Sequence, residues 1–460
     1  MTEIATDQTE IHDHAYKLDS GAFEAVLGAV AARDNARLIA LLKPFHPADV
    51  ADLLEQITKQ ERRDFLTLWA HDLDGEVLSE LREGLREEVI DYLPANVLAG
   101  AVRGLETDDV VDLIEDLQGP QQMLVLNALQ DADRVAVQQS LQYPEETAGR
   151  LMQRELVMAP THWNVGQAID SLRAASDLPD QFYHVMIVDP RMRPVGKVPL
   201  SALMSSKRDT ALTEIMEDDF MTIPVLQSEE DVAYAFNQYH MVSAPVVDIN
   251  ERLVGVITID DAMGVLEETA DEDIRRLAGL GDETFADQVF ATTRLRFPWL
   301  AVNLATSILA SFVIAQFADA ISAIVALAVL MPIVASMGGN AGTQSLTVAV
   351  RGIATKDLTS ANVWRVIRRE VLVGFLNGII FALVIGVIGF FWFGSPLLGV
   401  VLGLAMIANL LAAGLAGILI PIGLEKLGVD PALASGAFVT TVTDIVGFFA
   451  FLGLAALILL

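Results

Sequence analysis

The chain has 460 residues, with 30 lysines and arginines against 61 aspartates and glutamates, and it has no cysteine. A net charge of −31 repels nucleic acid and concentrates cations, although an acidic surface also serves solubility; the lack of cysteine excludes disulfides, thiolate metal sites and cysteine nucleophiles. Only six basic and six acidic residues lie beyond residue 297, so the whole net charge lies before it, and the C-terminal remainder is nearly continuous apolar sequence. This composition predicts a multidomain membrane protein, a charged soluble part joined to a membrane part.

Residues 1 to 20 are polar and acidic without an apolar core, which argues against a cleaved signal peptide and predicts a disordered tail. From 21 to 145, Leu, Ile and Val recur at spacings of three and four, as in Val110-Val111-Asp112-Leu113-Ile114, with no strand pattern. That predicts an all-α domain of stacked helical hairpins, with Pro47 and Pro94 at first turns, where a missing N–H does no harm.

From 146 to 268 the texture changes to helix and strand, and it repeats once. Ile187-Val188-Asp189, Gly196 and Met204 match Val246-Val247-Asp248, Gly255 and Met263 at an offset of 59, whereas Met152 and Pro160 match Met216 and Pro224 at an offset of 64. Two unequal copies, 146 to 209 and 210 to 268, the first with about five extra residues near 177 to 182, resemble a tandem α/β CBS pair. In nucleotide-binding copies of that module a Gly-x-x-Thr-x-x-Asp stretch supplies a hydroxyl and a ribose-binding carboxylate. Gly255, Thr258 and Asp261 stand at those spacings, while the first copy has Pro199 and Ala202 instead. The resemblance makes Thr258 and Asp261 candidates for ATP or another adenine nucleotide; the alternative is a structural repeat whose Asp261 serves a metal or nothing.

A connecting helix is expected over 269 to 297, led by Glu267, Glu268, Asp271, Glu272 and Asp273, whose mutual repulsion disfavours packing unless a cation screens it. A solvated linker is the alternative. Five spans come next, at about 298 to 317, 321 to 349, 371 to 393, 397 to 423 and 432 to 459, each near the roughly 20 apolar residues that cross a bilayer. Arg351, Lys356, Arg365, Arg368 and Arg369 fall between the second and third, which places that loop and the N-terminal region in the cytoplasm and the C-terminus outside.

The second span ends in Met331-Pro332-Ile333-Val334-Ala335-Ser336-Met337-Gly338-Gly339-Asn340-Ala341-Gly342-Thr343-Gln344-Ser345. Proline frees a carbonyl and the glycines bare the backbone, which suits a hard divalent cation such as Mg2+ that keeps several waters. Gly338, Gly339 and Asn340 are candidate ligands; small-residue helix packing is the alternative. Asp444, after Thr440-Thr441-Val442-Thr443, reads as the sole acid within the last three spans, and a carboxylate there is a functional-site candidate by default.

Over essentially its whole length the chain resembles the MgtE magnesium channels, through Gly338 to Ser345, the Gly428-Val429-Asp430-Pro431-Ala432 loop and Thr443-Asp444. The resemblance implies a homodimer in a bacterial inner membrane, with a helical N domain, a CBS pair, a plug helix and a five-helix transmembrane domain. It implies that Asp444 from both subunits binds hydrated Mg2+ in the pore, and that Asp430 shares a metal with Glu272 and Asp273 of the plug helix. It also implies that Glu76, Asp108, Asp109 and Asp112 are N-domain acids facing the CBS pair. Internal Mg2+ bridging these acids would close the channel. Family acids are missing at Gly264 and Thr269, which bears on how many regulatory ions bind. Two other readings remain: an ion-coupled divalent-cation carrier, and a membrane-anchored CBS nucleotide sensor. No nucleophile motif or phosphate loop supports an enzyme, and the seven histidines end at His240 without metal-ligand spacing.

Overall fold

The computed structural model describes residues 20 to 460 except 116, 118, 176, 177, 180, 281 to 288 and 360. The expected N-terminal tail therefore lies outside the described residues, as does part of the segment with the extra residues of the first copy. Two compact units divide at Glu268 and Thr269.

In the first unit the described helices are α1 (Ser20–Ala31), α2 (Asn35–Leu42), α3 (Pro47–Gln56), α4 (Lys59–Trp69), α5 (Glu76–Ser79), α6 (Glu83–Tyr92), α7 (Ala95–Val102), α8 (Thr107–Glu115), α9 (Gly119–Ala128) and α10 (Asp131–Ser140). Their apolar stripes close on one core that includes Leu38, Phe65, Leu78, Val102 and Ile114. Pro47 opens α3 behind a His46 cap, and Pro94 stands immediately before α7, so both prolines sit where no intrahelical N–H is needed.

The repeat is built as α11 (Ala148–Leu151), β1 (Met158–Pro160), α12 (Val165–Ala174), β2 (His184–Val188), β3 (Pro194–Pro199) and α13 (Leu200–Ser205), then α14 (Leu212–Ile215), β4 (Ile223–Pro224), α15 (Glu229–Tyr239), β5 (Ser243–Val247), β6 (Leu253–Thr258) and α16 (Ile259–Leu277). Each copy has one three-stranded sheet, its first pair parallel and its second antiparallel. The copies exchange their leading segments. Gln153 exchanges two backbone hydrogen bonds with Val256 of the second copy, and Glu217 does the same with Lys197 of the first. A Cβ on Gly255 would stand 2.4 Å from Met152 Sδ, and one on Gly196 2.8 Å from Met216 Sδ. The residues that align at offsets of 64 and 59 are thus the ones that pack on each other across the pair, and only glycine admits the methionines.

The helix expected over 269 to 297 begins earlier, as α16 within the second copy, and ends at Leu277. The second unit continues as α17 (Val289–Ala315), α18 (Ala318–Ala323), α19 (Ala326–Ala354), α20 (Val363–Phe393), α21 (Pro396–Lys426) and α22 (Pro431–Ile458). Five of these helices are long and apolar enough to cross a membrane. The α21 helix is the central one, its apolar stretch being the most enclosed of the five. Arg351 lies in the last turn of α19, and Arg365, Arg368 and Arg369 lie on α20, not in a loop as the sequence suggested. Hydropathy marks where the apolar run starts, whereas backbone hydrogen bonding carries the helix through the arginines. Between α21 and α22, Gly428 takes a left-handed φ of +70°, Asp430 caps α22 by accepting from Ala432 N at 2.7 Å, and Pro431 is its first residue.

Candidate functional sites

The α8 helix is held on the CBS pair by Glu155, which accepts from Thr107 Oγ1 at 2.6 Å and from the Thr107 N–H at 3.4 Å. Gln153 Nε2 donates to Glu106 at 2.8 Å, and Arg150 pairs with Glu115 at the far end of the helix. This docking sets Asp108, which is buried, and Asp109 opposite Asp261 of α16. Burial and then the Asp261 charge push Asp108 well above the usual carboxylate range and Asp109 up to about 7. Burial raises Asp261 to about 6, against hydrogen bonds from Thr258 that oppose the rise. Thr258 Oγ1 donates to Asp261 Oδ2 at 2.7 Å, so Asp261 turns back to cap α16.

The structure brings Asp108, Asp109 and Asp261 within electrostatic reach of one another, with exposed Glu76 at the rim acting on Asp109. Asp112 also acts on Asp109 and Asp261, while its carboxylate pairs with buried Arg86 at 2.8 Å. Among the described residues no three acids or histidines converge as metal ligands. Beside Thr258 a narrow cleft of about 20 Å³ lies between the CBS copies, lined by Glu155, Phe182, His184 and Ser243, where His184 Nδ1 meets Ser243 Oγ at 2.8 Å. A second acidic group surrounds Glu229, which burial, then Glu146, Glu268 and Glu115, push up to about 7.

In the second unit the glycine motif is fully helical and has two faces. Gly338 and Gly342 are buried and are used for packing: a Cβ on Gly338 would strike the Asn409 carboxamide of α21 at 2.2 Å, and one on Gly342 would meet Val439 of α22 at 2.5 Å. Gly339 has nothing within 4 Å of its Cβ position. Ser336, Asn340, Thr343, Gln344 and Thr347 succeed one another at helical spacing along a single exposed stripe of α19. Asp444 is partly exposed on α22, and the hydroxyls of Thr440, Thr441 and Thr443 all donate to carbonyls of their own helix. Asp444 is not the sole acid on the five span-length helices. Glu370, on α20 and buried, accepts from Ser345 Oγ of α19 at 2.9 Å. The apolar run that marks the third span in the sequence starts one residue after it.

Where a metal was expected between the plug helix and Asp430, the structure has Arg276. Its guanidinium donates to both Glu272, one turn earlier on α16, and Asp430. Asp273 is the next residue on the same helix and is partly buried.

A family model described as divalent cation transporter matches residues 331–454, the MgtE intracellular N domain model matches 45–146 and the CBS domain model matches 212–268. The magnesium transporter MgtE of Thermus thermophilus is 32% identical over 93% of this chain and 96% of its own length. The chain belongs to the MgtE family of magnesium transporters. The Enterococcus faecalis MgtE is 34% identical over 70% of this chain and 71% of its own. Among solved structures, the cytosolic domain of the Mg2+ channel MgtE in complex with ATP is 28% identical with a TM-score of 0.50, covering 53% of this chain and 99% of that one. Membership of the MgtE family makes the protein a transporter, a class distinct from enzymes, and Mg2+ its transported ion.

The raised acids of the first unit carry a pH prediction. In the folded unit Asp109, Asp261 and Glu229 hold protons up to about pH 6 to 7, whereas the unfolded chain releases them near the ordinary carboxylate value. The folded state binds more protons, so stability falls as pH rises from about 4 through 7 and the loss is complete above that window. Without divalent ions, the melting temperature of the first unit is expected to drop between pH 5 and pH 8. Mg2+ should restore it at pH 8, and Asp109→Asn should raise it there by roughly 2–4 °C per kcal/mol of relieved repulsion. A melting temperature that is flat with pH and insensitive to Mg2+ would contradict the assignment.

Proposed function

We propose that the chain is a Mg2+-selective channel that acts as a homodimer in the bacterial inner membrane and admits Mg2+ down its electrochemical gradient. The observation that carries this reading is the exposed polar stripe of α19. Hydrocarbon tolerates Asn340, Thr343, Gln344 and Thr347 on one face of a span only where protein or water covers them. A second copy and a water-filled path between the two supply both. Asp444 would attract the hydrated ion, with Asn340 as polar lining, and selection would rest on hydrated size because Mg2+ dehydrates reluctantly. A negative-inside potential favours entry by about 2.3 kcal/mol per charge per 100 mV.

Within the same reading, the N-terminal domains lie in the cytoplasm and the acids sense Mg2+ there. Bound Mg2+ would relieve the repulsion of Asp108, Asp109 and Asp261, and would stabilise a closed state. Moving a gate from 1:99 to 99:1 takes about 5.5 kcal/mol, which several weak sites supply together. ATP, bound by the related cytosolic domain, is assigned to the cleft beside Thr258.

The native lack of cysteine makes the pore assignment directly testable. Single cysteines at Gln344 and Thr347 are expected to react with a charged, water-soluble thiol reagent, and one at Leu383, exposed on α20, to stay unreactive in lipid. Unreactive cysteines at both polar-stripe positions would rule out a water-lined face.

A further inference from the structure

Asn409 lies on α21 with none of its surface exposed. Its Nδ2 donates to the carbonyl of Val334 on α19 at 2.8 Å, while its Oδ1, equally enclosed, has no hydrogen-bond partner. Two bare α-carbons hold the carboxamide from opposite sides. A Cβ on Gly338 of α19 would stand 2.2 Å from Nδ2 and 2.9 Å from Oδ1, and one on Gly447 of α22 would stand 2.6 Å and 3.1 Å from the same atoms. An apolar side chain with a Cβ on each flanking helix would fill this space without orphaning an acceptor. The arrangement sacrifices stability at the junction of the helices that carry Asn340 and Asp444. Gly447 is one turn beyond Asp444, and Gly338 two residues before Asn340.

We infer that Asn409 is a positioning residue that determines ion specificity: wedged between Gly338 and Gly447, it fixes the separation of α19 and α22 and thereby the hydrated ion that their polar side chains accept. At the level of Gly338 and Gly447 an approach of the two helices presses on the carboxamide, whose orientation the Val334 hydrogen bond sets, while Gly342 and Val439 make the direct contact about one turn away. This inference rests on the pore reading proposed for α19 and Asp444.

The test compares Mg2+ and Ca2+ fluxes into liposomes containing the full-length protein: wild type, Asn409→Ala, Gly447→Ala and Asp444→Asn. Removing the wedge narrows the junction and adding a Cβ at 447 widens it. The Mg2+ to Ca2+ flux ratio is therefore expected to shift by about fivefold, which is ~1 kcal/mol, and in opposite senses in the two variants. If Gly447→Ala fails to fold, as shown by gel filtration and a thermal melt, Asn409→Ala decides alone. An unchanged ratio, whether both fluxes persist or fall in proportion, would make Asn409 a packing residue and overturn the inference while Asp444→Asn still blocks flux. Full Mg2+ flux through Asp444→Asn would overturn the pore reading and this inference with it.

Discussion

Asp444→Ala is expected to cut Mg2+ flux into liposomes at least tenfold at low internal Mg2+, where the channel is open. A carboxylate about 5 Å from a divalent ion contributes roughly 2 to 7 kcal/mol at effective dielectric constants between 80 and 20, and even the lower figure exceeds the 1.4 kcal/mol that makes a factor of ten. In the proposed homodimer, two copies facing one path would double the effect. Asp444 forms no hydrogen bond or ion pair among the described residues, so its removal takes away charge without stripping a partner, and the protein should remain folded. Asp444→Asn separates charge from size: flux should fall nearly as far, because the amide keeps the oxygen and loses the field. A tolerated Asp444→Asn would favour an anchored sensor in which the spans only hold the protein in the bilayer.

The next largest effect is expected at Arg276. Its guanidinium occupies the position between Glu272 and Asp430 that the sequence assigned to a divalent ion. In the proposed gating scheme a cation built into the helix would hold these acids together whether or not Mg2+ is present, and the contact would act as a latch that favours the closed arrangement. Arg276→Ala leaves two partly buried carboxylates facing each other, and only Mg2+ can then bridge them. Flux at low internal Mg2+ should rise, and the internal Mg2+ needed for half-closure should increase about fivefold, the equivalent of ~1 kcal/mol for a partly exposed pair. Closure at saturating Mg2+ should survive. The measurement is flux against internal Mg2+ for wild type and variant; superimposable curves would show that the latch carries no gating energy.

The sequence disclosed the architecture because each level of it leaves a periodic trace. Helical spacing marked the first domain, a repeat at offsets of 64 and 59 marked the CBS pair, and the apolar runs marked the spans. The acids Asp108, Asp109 and Asp261 were legible as candidates, and folding brings them together. What stayed hidden depends on which helix faces which. Gly338 reads as bare backbone for an ion, yet its missing Cβ makes room for Asn409, a residue 71 positions away that no spacing rule connects to it. Glu370 escaped notice because it comes directly after two arginines at the edge of an apolar run, although the helix carries it inward to Ser345. Arg276 was invisible as a competitor for metal because its two partners lie one turn and 154 residues away. Residue type fixed which groups could bind a cation, and tertiary packing decided which of them were already occupied.

The measurement that bears most directly on the central claim is Mg2+ flux through purified wild-type protein in liposomes, at an inward gradient and with internal Mg2+ set low and then high. A self-gated Mg2+ channel predicts rapid flux at low internal Mg2+ and its suppression at high internal Mg2+ with the same gradient imposed. Flux absent under both conditions, or flux that ignores internal Mg2+, would contradict the account.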